Sequence, residues 1–551
     1  MWVSAQDSTK VKKSELPNDW YELDKATSGY NGISLDKAYH FLKGKKSKTV
    51  VVAIIDSGVD TTHEDLKGVL WHNPGEIPGN GIDDDHNGYV DDVYGWNFLG
   101  GKDGRNVHQD SYEAARVYWK LHAQYGDTIP DSTSMDAAQR KTLDEYLRAK
   151  NKVLSGVDPK EVAVMRKILP AMEEGDSIIA KDLGKSEFTG TDLKDYSSDN
   201  MKARLAANIQ LNICRLNNND NISNNDILED LRGQIRKADA ATTPPEDFRG
   251  EIVKDNENDI NDRHYGNNDV MAGTPSHGTH VSGIIGAVRN NGIGMNGIAD
   301  NVKIMMIRAV PDGDEHDKDI ANAIRYAVDN GAEIISMSFG KDFSPEKTWV
   351  DDAVKYAESK DVLLVHAAGN DHKDIDTTAN YPNPEFADGS GRADNFITVG
   401  ASGDSLNGGF TAAFSNYGKK EVDVFAPGVD IYSTLPGGNK YGKYSGTSMA
   451  CPVVAGVAAL LLEYYPNLSA EQLRYIIDKS ATPITKKVIL PGTQKGPEGD
   501  GDMDMVNLSD ISISGGELNA YSAVKMAATI KGDRFKKHRL PRSKVRRHRR
   551  N

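Results

Sequence analysis

Cysteine is scarce in this chain: two occur among 551 residues, Cys214 and Cys451. A disulfide scaffold and a cysteine-rich zinc site are thereby excluded. Long apolar runs are also missing. No stretch reaches the ~18 consecutive apolar residues that a membrane span requires. The longest, Val453 to Leu462, contains Gly456 and suits a buried helix. The opening residues, MWVSAQDSTK, lack a basic start followed by an apolar stretch, so they read as no intact export signal. Basic charge is short too: 66 Lys+Arg stand against 81 Asp+Glu, a net −15, which disfavours nucleic acid as a partner. The deficit is uneven. Residues 531–551 hold eleven Lys/Arg and one acid, a local +10, leaving −25 on residues 1–530.

What is present is a repeated grammar of strand and helix. Thr49-Val50-Val51-Val52-Ala53-Ile54-Ile55 runs into Asp56 and Gly58. A β-branched run ending on an acid reads as a buried parallel strand that delivers a side chain at its C-terminal end. Similar runs occur at Val302–Ile307, Ala332–Met337, Val362–Ala368 and Phe396–Val399. Helical periods lie between them, at His280–Val288, Ile320–Val328, Val350–Ala357 and Val453–Tyr464. The alternation predicts an α/β domain with a parallel sheet covered on both faces. Residues 107–249 differ: apolar spacing there is helical, as in Val162/Met165/Ile168/Leu169/Met172, and no convincing strand occurs. We read four parts: an N-terminal extension (1–48), a discontinuous catalytic domain (49–106 and 250–530), a helical insertion (107–249) and a basic tail (531–551).

Three segments carry chemistry: Ile54-Ile55-Asp56-Ser57-Gly58, Ser276-His277-Gly278-Thr279-His280, and Ser445-Gly446-Thr447-Ser448-Met449-Ala450. Acyl transfer needs a hydroxyl nucleophile, a base near neutrality and a carboxylate that fixes the base's tautomer. Asp56, His277 and Ser448 are the candidates. Their order, Asp…His…Ser, differs from the His…Asp…Ser and Ser…Asp…His orders of other triad enzymes. Either His280 or Cys451 beside these boxes reads first as packed core.

These boxes resemble, in order and wording, those of the subtilisin-like serine proteases (subtilases, peptidase family S8). The likeness covers roughly residues 49–105 and 250–530. It implies a three-layer α/β/α fold around a mostly parallel seven-stranded sheet, and serine endopeptidase activity without a catalytic cofactor. It implies polypeptide substrates and a secreted, periplasmic or cell-surface location. Leu363-Leu364-Val365-His366-Ala367-Ala368-Gly369-Asn370 resembles the family's box whose Asn, here Asn370, donates to the oxyanion. Ser338-Phe339-Gly340 resembles the strand that pairs with substrate, and Asp312-Gly313-Asp314 the opposing strand. Asn380 aligns with the floor of the first specificity pocket, which Ala368 and Gly369 help to wall. The acids Asp312, Asp314, Glu315, Asp317 and Asp319 along that edge would favour basic residues upstream of the cut; a solvated charge run is the plainer reading. An exopeptidase of the same fold and a catalytically silent binding module are the alternatives to an endopeptidase.

Two candidate calcium sites follow. Asp83-Asp84-Asp85-His86-Asn87-Gly88 matches the opening of an EF-hand loop, with oxygens at Asp83, Asp85 and Asn87; Tyr94 at the twelfth position rules out a complete EF-hand. The family resemblance points to Asp65 as a second calcium carboxylate, with Asn290 as its partner. The insertion leaves and rejoins the core between Asp56 and His277, which predicts a position near one side of the cleft. We expect either a cap over the cleft or a peripheral module.

Overall fold

The computed structural model describes residues 16–129, 131–155, 158–185, 187–217, 220, 222–273, 275–405, 409–493 and 503–534. The basic tail read from the sequence lies almost wholly outside them, from residue 535 onward.

Seven strands form the parallel sheet: β1 (Val50–Asp56), β2 (Gly95–Asn97), β3 (Val302–Arg308), β4 (Ile334–Met337), β5 (Leu363–Ala367), β6 (Phe396–Ser402) and β7 (Val424–Pro427). Their order is β7-β6-β5-β4-β1-β3-β2. Two short strands, Thr482–Pro483 and Gly516–Glu517, extend the β7 edge and bring the sheet to nine. Gly516–Glu517 pairs in parallel with β7, and Thr482–Pro483 pairs antiparallel to Gly516–Glu517, so the mostly parallel sheet exceeds the expected seven by two short edge strands. An antiparallel pair, β8 (Ile431–Leu435) and β9 (Lys440–Tyr444), lies apart from it.

β1 is central, paired in parallel with β3 through Asp56↔Arg308 and with β4 through Ile55↔Met337. Buried on both faces, it must be apolar along its length, and it is, up to Asp56. The β2 and β7 strands escape a periodicity reading because they are only three and four residues long.

Helices cover both faces. In chain order they include α1 (Leu35–Leu42), α2 (Glu113–Tyr125), α3 (Ala137–Ser155), α4 (Pro159–Leu183), α5 (Met201–Asn217), α6 (Asn224–Asp239), α7 (Ser276–Gly286), α8 (Asp317–Asp329), α9 (Lys347–Ser359) and α10 (Thr447–Tyr464). By length and composition α10 would suit a membrane span, but it is buried in the core of the fold. Pro452 sits inside α10 and has no N–H to give the Ser448 carbonyl one turn back. The Ser338 hydroxyl supplies that bond instead, at 2.9 Å.

Helices α2 to α6 carry two apolar clusters of their own. One joins Tyr118, Leu143, Tyr146 and Val153; the other joins Met172, Ile179, Phe188 and Ile227. The amphipathic spacing in 107–249 is thus satisfied largely within that segment. Charge ties it to the sheet layer. Arg249, 1% exposed, pairs with both oxygens of Asp319 and with Asp255, and stacks over Tyr265.

Candidate active site

The three boxes converge because each occupies an element terminus at the same end of the sheet. Asp56 ends β1, His277 opens α7 and Ser448 opens α10. Close approach of α7 to β1 depends on Gly278: a Cβ there would lie 2.2 Å from the Gly58 carbonyl and 3.1 Å from Asp56 Oδ1. With no side chain in the way, the His277 Nδ1 reaches the Asp56 carboxylate at 2.8 and 3.0 Å. Asp56 is buried and also accepts from the Ser57 N–H at 2.7 Å. Burial alone would lower the His277 pKa; the Asp56 charge and hydrogen bond, with Asp226 of α6, overcome it and hold the imidazole above its usual value.

Ser448 lines the same cleft as Asp56 and His277. Its hydroxyl donates to the Ser338 carbonyl at 3.2 Å. Asn370 lies across from it. The Asn370 Oδ1 accepts from the Thr447 N–H and hydroxyl, both at 2.9 Å, which leaves its Nδ2 to face the cleft. A methyl group added to Gly446 would sit 3.5 Å from that Nδ2 and 3.6 Å from the Ser448 N–H. Two donors therefore flank one small space.

The two strands read as substrate edges differ. At Gly340 neither the N–H nor the C=O has a partner among the described residues. The Phe339 carbonyl is held by His366 Nε2 at 2.7 Å; burial pushes that histidine's pKa down to about 4. The opposite edge is already in use. Asp312 N–H donates to the His108 carbonyl at 2.9 Å, and its carbonyl accepts from Asp110 N–H at 2.8 Å. Gly313 permits this with φ +142°; a Cβ there would meet the Asp110 carbonyl at 2.4 Å. Asn380 lies below Gly340 and Gly369, its Nδ2 donating to the Ala368 carbonyl at 3.1 Å.

The expectation of five free acids along that edge is corrected. Asp312 pairs with Arg236 of α6 at 2.8 Å. Asp314 caps α2 through the Glu113 N–H at 2.8 Å. Asp317 pairs with Lys341 at 2.9 Å, and Asp319 with Arg249. Glu315 keeps a buried carboxyl oxygen, Oε1, without a hydrogen-bond partner among the described residues. These acids look like a solvated run in the sequence because their cations come from elsewhere in the chain.

His280 and Cys451 pack as core. The His280 ring stacks on Tyr444 at 4.5 Å, and burial drives its pKa down to about 3. Burial pushes the Cys451 thiol up to about 11.

The metal candidates are partly rearranged. Glu76, Asp83 and Asp85 bring carboxylate oxygens within 4.8 Å of one another. Glu76 stands outside the motif and was not read from it. Asn87 turns its Nδ2 to Asp85 and Asp92, at 3.3 and 3.1 Å, so its amide faces carboxylates. At Asp65 the approaching amide is Asn291; the Asn290 N–H bonds Asn296 instead. The other Asp65 oxygen accepts from Met295 N–H and the Tyr441 hydroxyl, at 3.2 and 3.1 Å.

The Subtilase family (Peptidase_S8) model matches residues 47–504. The chain is 44% identical over 213 residues to a thermophilic serine proteinase of Bacillus sp. (strain AK1), covering 38% of this chain and 48% of that protein. It is 38% identical over 208 residues to subtilisin DY of Bacillus licheniformis, covering 37% of this chain and 70% of the relative. Among solved structures, a protease from Pseudoalteromonas arctica PAMC 21717 is 20% identical over 93% of this chain and 98% of that one, with a TM-score of 0.45. The chain spans about half the length of several curated relatives it matches. By its family match, its motifs and its parallel sheet, this chain belongs to the subtilase family.

Proposed function

We propose that the chain is a serine endopeptidase acting on polypeptides outside the cytoplasm. The observation that carries this is the Asp56–His277 hydrogen bond in one cleft with Ser448 and Asn370. A proton held on His277 Nδ1 by Asp56 leaves Nε2 as the acceptor. Ser448 turns about its Cα–Cβ bond, gives its proton to Nε2 and forms the Oγ–carbon bond. Negative charge then develops on the substrate oxygen, where the Asn370 Nδ2–H and Ser448 N–H donate. His277 returns the proton to the leaving nitrogen as the carbon–nitrogen bond breaks, and water repeats the sequence to release the acid. A fluorophosphonate should label the protein covalently at Ser448. Absence of labelling in folded protein would leave a binding module as the better reading.

Replacing Asn370 by alanine removes one of two donors and should lower kcat by about 10²–10³-fold with little change in KM, the effect known for the equivalent subtilisin donor. Steady-state kinetics on a chromogenic peptide would decide; a drop under threefold sinks the assignment.

The helical segment 107–249 acts as a cap in this reading. Its support is that Ile222, Asp226 and Glu229 line the cleft together with Ser448.

Catalysis needs no metal here, but structural calcium fits one loop. Glu76, Asp83 and Asp85 form an oxygen-only set suited to a hard cation. The Asp65 carboxylate stands apart from any such carboxylate cluster among the described residues and accepts from the Met295 N–H, the Tyr441 hydroxyl and the Asn291 amide. A cation at 100 times its Kd would stabilise the fold by about 2.7 kcal/mol. EDTA should then lower Tm by several degrees, and Asp83→Asn with Asp85→Asn should abolish that response. A melt indifferent to chelator removes calcium from the description.

A further inference from the structure

We propose that the cleft continues upstream into a second pocket, built mostly by the helical segment 107–249, which takes an apolar or aromatic side chain lying four to six residues before the scissile bond. This rests on the peptidase reading of the cleft that holds Ser448.

The path of the substrate sets the position. At Gly340 the N–H and C=O have no partner among the described residues, and the same holds at Gly313, which lines the same cleft. Asp312 and Asp314, on either side of Gly313, turn their N–H groups the other way, to the His108 and Ser111 carbonyls at 2.9 and 3.3 Å. An extended substrate therefore has two free main-chain edges to pair with, one at each glycine. The Ser338 carbonyl accepts from the Ser448 hydroxyl, which sets Ser338 beside the residue that is cut. Gly340, two positions along the same edge, then stands beside the third residue upstream.

Straight extension beyond that point is closed. Two residues past Gly313, the Glu315 carbonyl is taken by Lys341 Nζ at 2.7 Å and by Arg116 Nη2 at 3.2 Å. Open space lies beside it instead. Gly340 lines the catalytic cleft and also a second pocket of about 600 Å³. That pocket lies between Asp314, Lys341 and Phe343 of the catalytic domain and residues of α2, α3 and α6. A substrate leaving Gly340 turns into it. At ~3.3 Å per extended residue, positions four to six cover about 10 Å, the width of a space of that volume.

The lining selects the side chain. Tyr112, Val153, Pro244, Pro245, Phe248 and Phe343 supply apolar surface. The buried and half-buried charges around them are already answered. Lys152 pairs with Asp342 at 2.6 Å, Arg236 with Asp312 at 2.8 Å and Asp371 with Lys373 at 3.1 Å. Lys341 is held by Glu113 and Asp317, and the Asp314 carboxylate accepts from the Glu113 N–H. Lys237 and Glu246 are exposed to water, and Lys237 lies over the Tyr112 ring at 4.3 Å. An incoming charge would give up its water without gaining a buried counter-charge, whereas an apolar side chain gains by leaving water. Pockets of this size with apolar walls and a few placed polar groups are the usual form of a binding site.

The test separates this pocket from catalysis. The Ser448→Ala variant is titrated, by fluorescence anisotropy, with peptides of one sequence that carry phenylalanine or serine at the fourth, fifth or sixth position upstream. Phenylalanine should bind about tenfold tighter at one of the three positions, the size of one buried aromatic side chain. Adding Val153→Asp, or separately the half-exposed Pro245→Asp, should cut that ratio below about threefold and make lysine the better residue there, a gain that misfolding does not produce. Each ratio is taken on one preparation, so partial misfolding cancels. Equal affinity for phenylalanine and serine at all three positions overturns the proposal, as does a ratio that survives both substitutions. A preference of the same size at every position also overturns it, because it marks apolar binding without register to Gly340. Fluorophosphonate labelling of the unmodified protein reports separately: failure to label with the phenylalanine preference intact overturns the peptidase reading alone.

Discussion

Replacing Ser448 by alanine should lower kcat on a peptide substrate by on the order of 10⁶-fold, the loss known for the triad of subtilisin, a member of this family. The reason is geometric. The residue supplies the only atom that bonds the substrate carbon, and α10 presents it at its first turn, where the N–H of the same residue also serves the oxyanion. Adding His277→Ala should cost little more, because the base has no proton to take once the hydroxyl is gone. Fold should be retained, since among the described residues the Ser448 hydroxyl makes one long hydrogen bond, 3.2 Å to the Ser338 carbonyl, and the Ser338 hydroxyl still satisfies the residue-448 carbonyl. Kinetics with a melting curve on the same sample decide it. Activity within a hundredfold of the parent would mean that another group is the nucleophile.

Arg249→Leu should destabilise the protein by about 3–5 kcal/mol, the range for breaking a buried ion pair. Asp319 is fully buried, and the guanidinium bonds both of its oxygens while reaching Asp255 at 3.0 Å. Removing the arginine leaves Asp319 with the Tyr265 hydroxyl, at 2.6 Å, as its side-chain donor. Asp255 loses less, because Lys318 still pairs with it at 2.5 Å. The second substitution Asp319→Leu in the Arg249→Leu background should therefore recover much of the loss, since both charges of the pair are then gone. Urea unfolding at pH 7 measures both. A single variant within about 1 kcal/mol of the parent would show that Arg249 does not clamp the end of the helical segment to α8.

The catalytic core was legible in the sequence for local reasons. β1, β3, β5 and β6 are buried on both faces, and continuous apolar runs mark them. Asp56, His277, Asn370 and Ser448 sit at strand ends and helix starts, so glycine and small residues surround them and the motifs can be read by eye. Residues 107–249 were legible as helical because the period survives within each element.

Pairing across the chain was not legible. The poverty in cysteine already placed the burden of holding distant segments together on packing and charge, and the structure assigns the partners. The acids at 312–319 read as one row, yet Asp312, Asp317 and Asp319 meet cations 76, 24 and 70 positions away, at Arg236, Lys341 and Arg249. Glu76 joins Asp83 and Asp85 from outside their motif, and Asn291, not Asn290, brings its amide to Asp65. α6 reaches the cleft although nothing in its sequence points to Ser448. What the sequence by itself determined is which residues have the chemistry and which stretches must be buried. Which charges are cancelled, and which, like Glu315, face the cleft without a partner, was decided only by the tertiary structure. A carboxylate's free energy depends on what stands within a few ångströms of it, and chain order does not carry that distance.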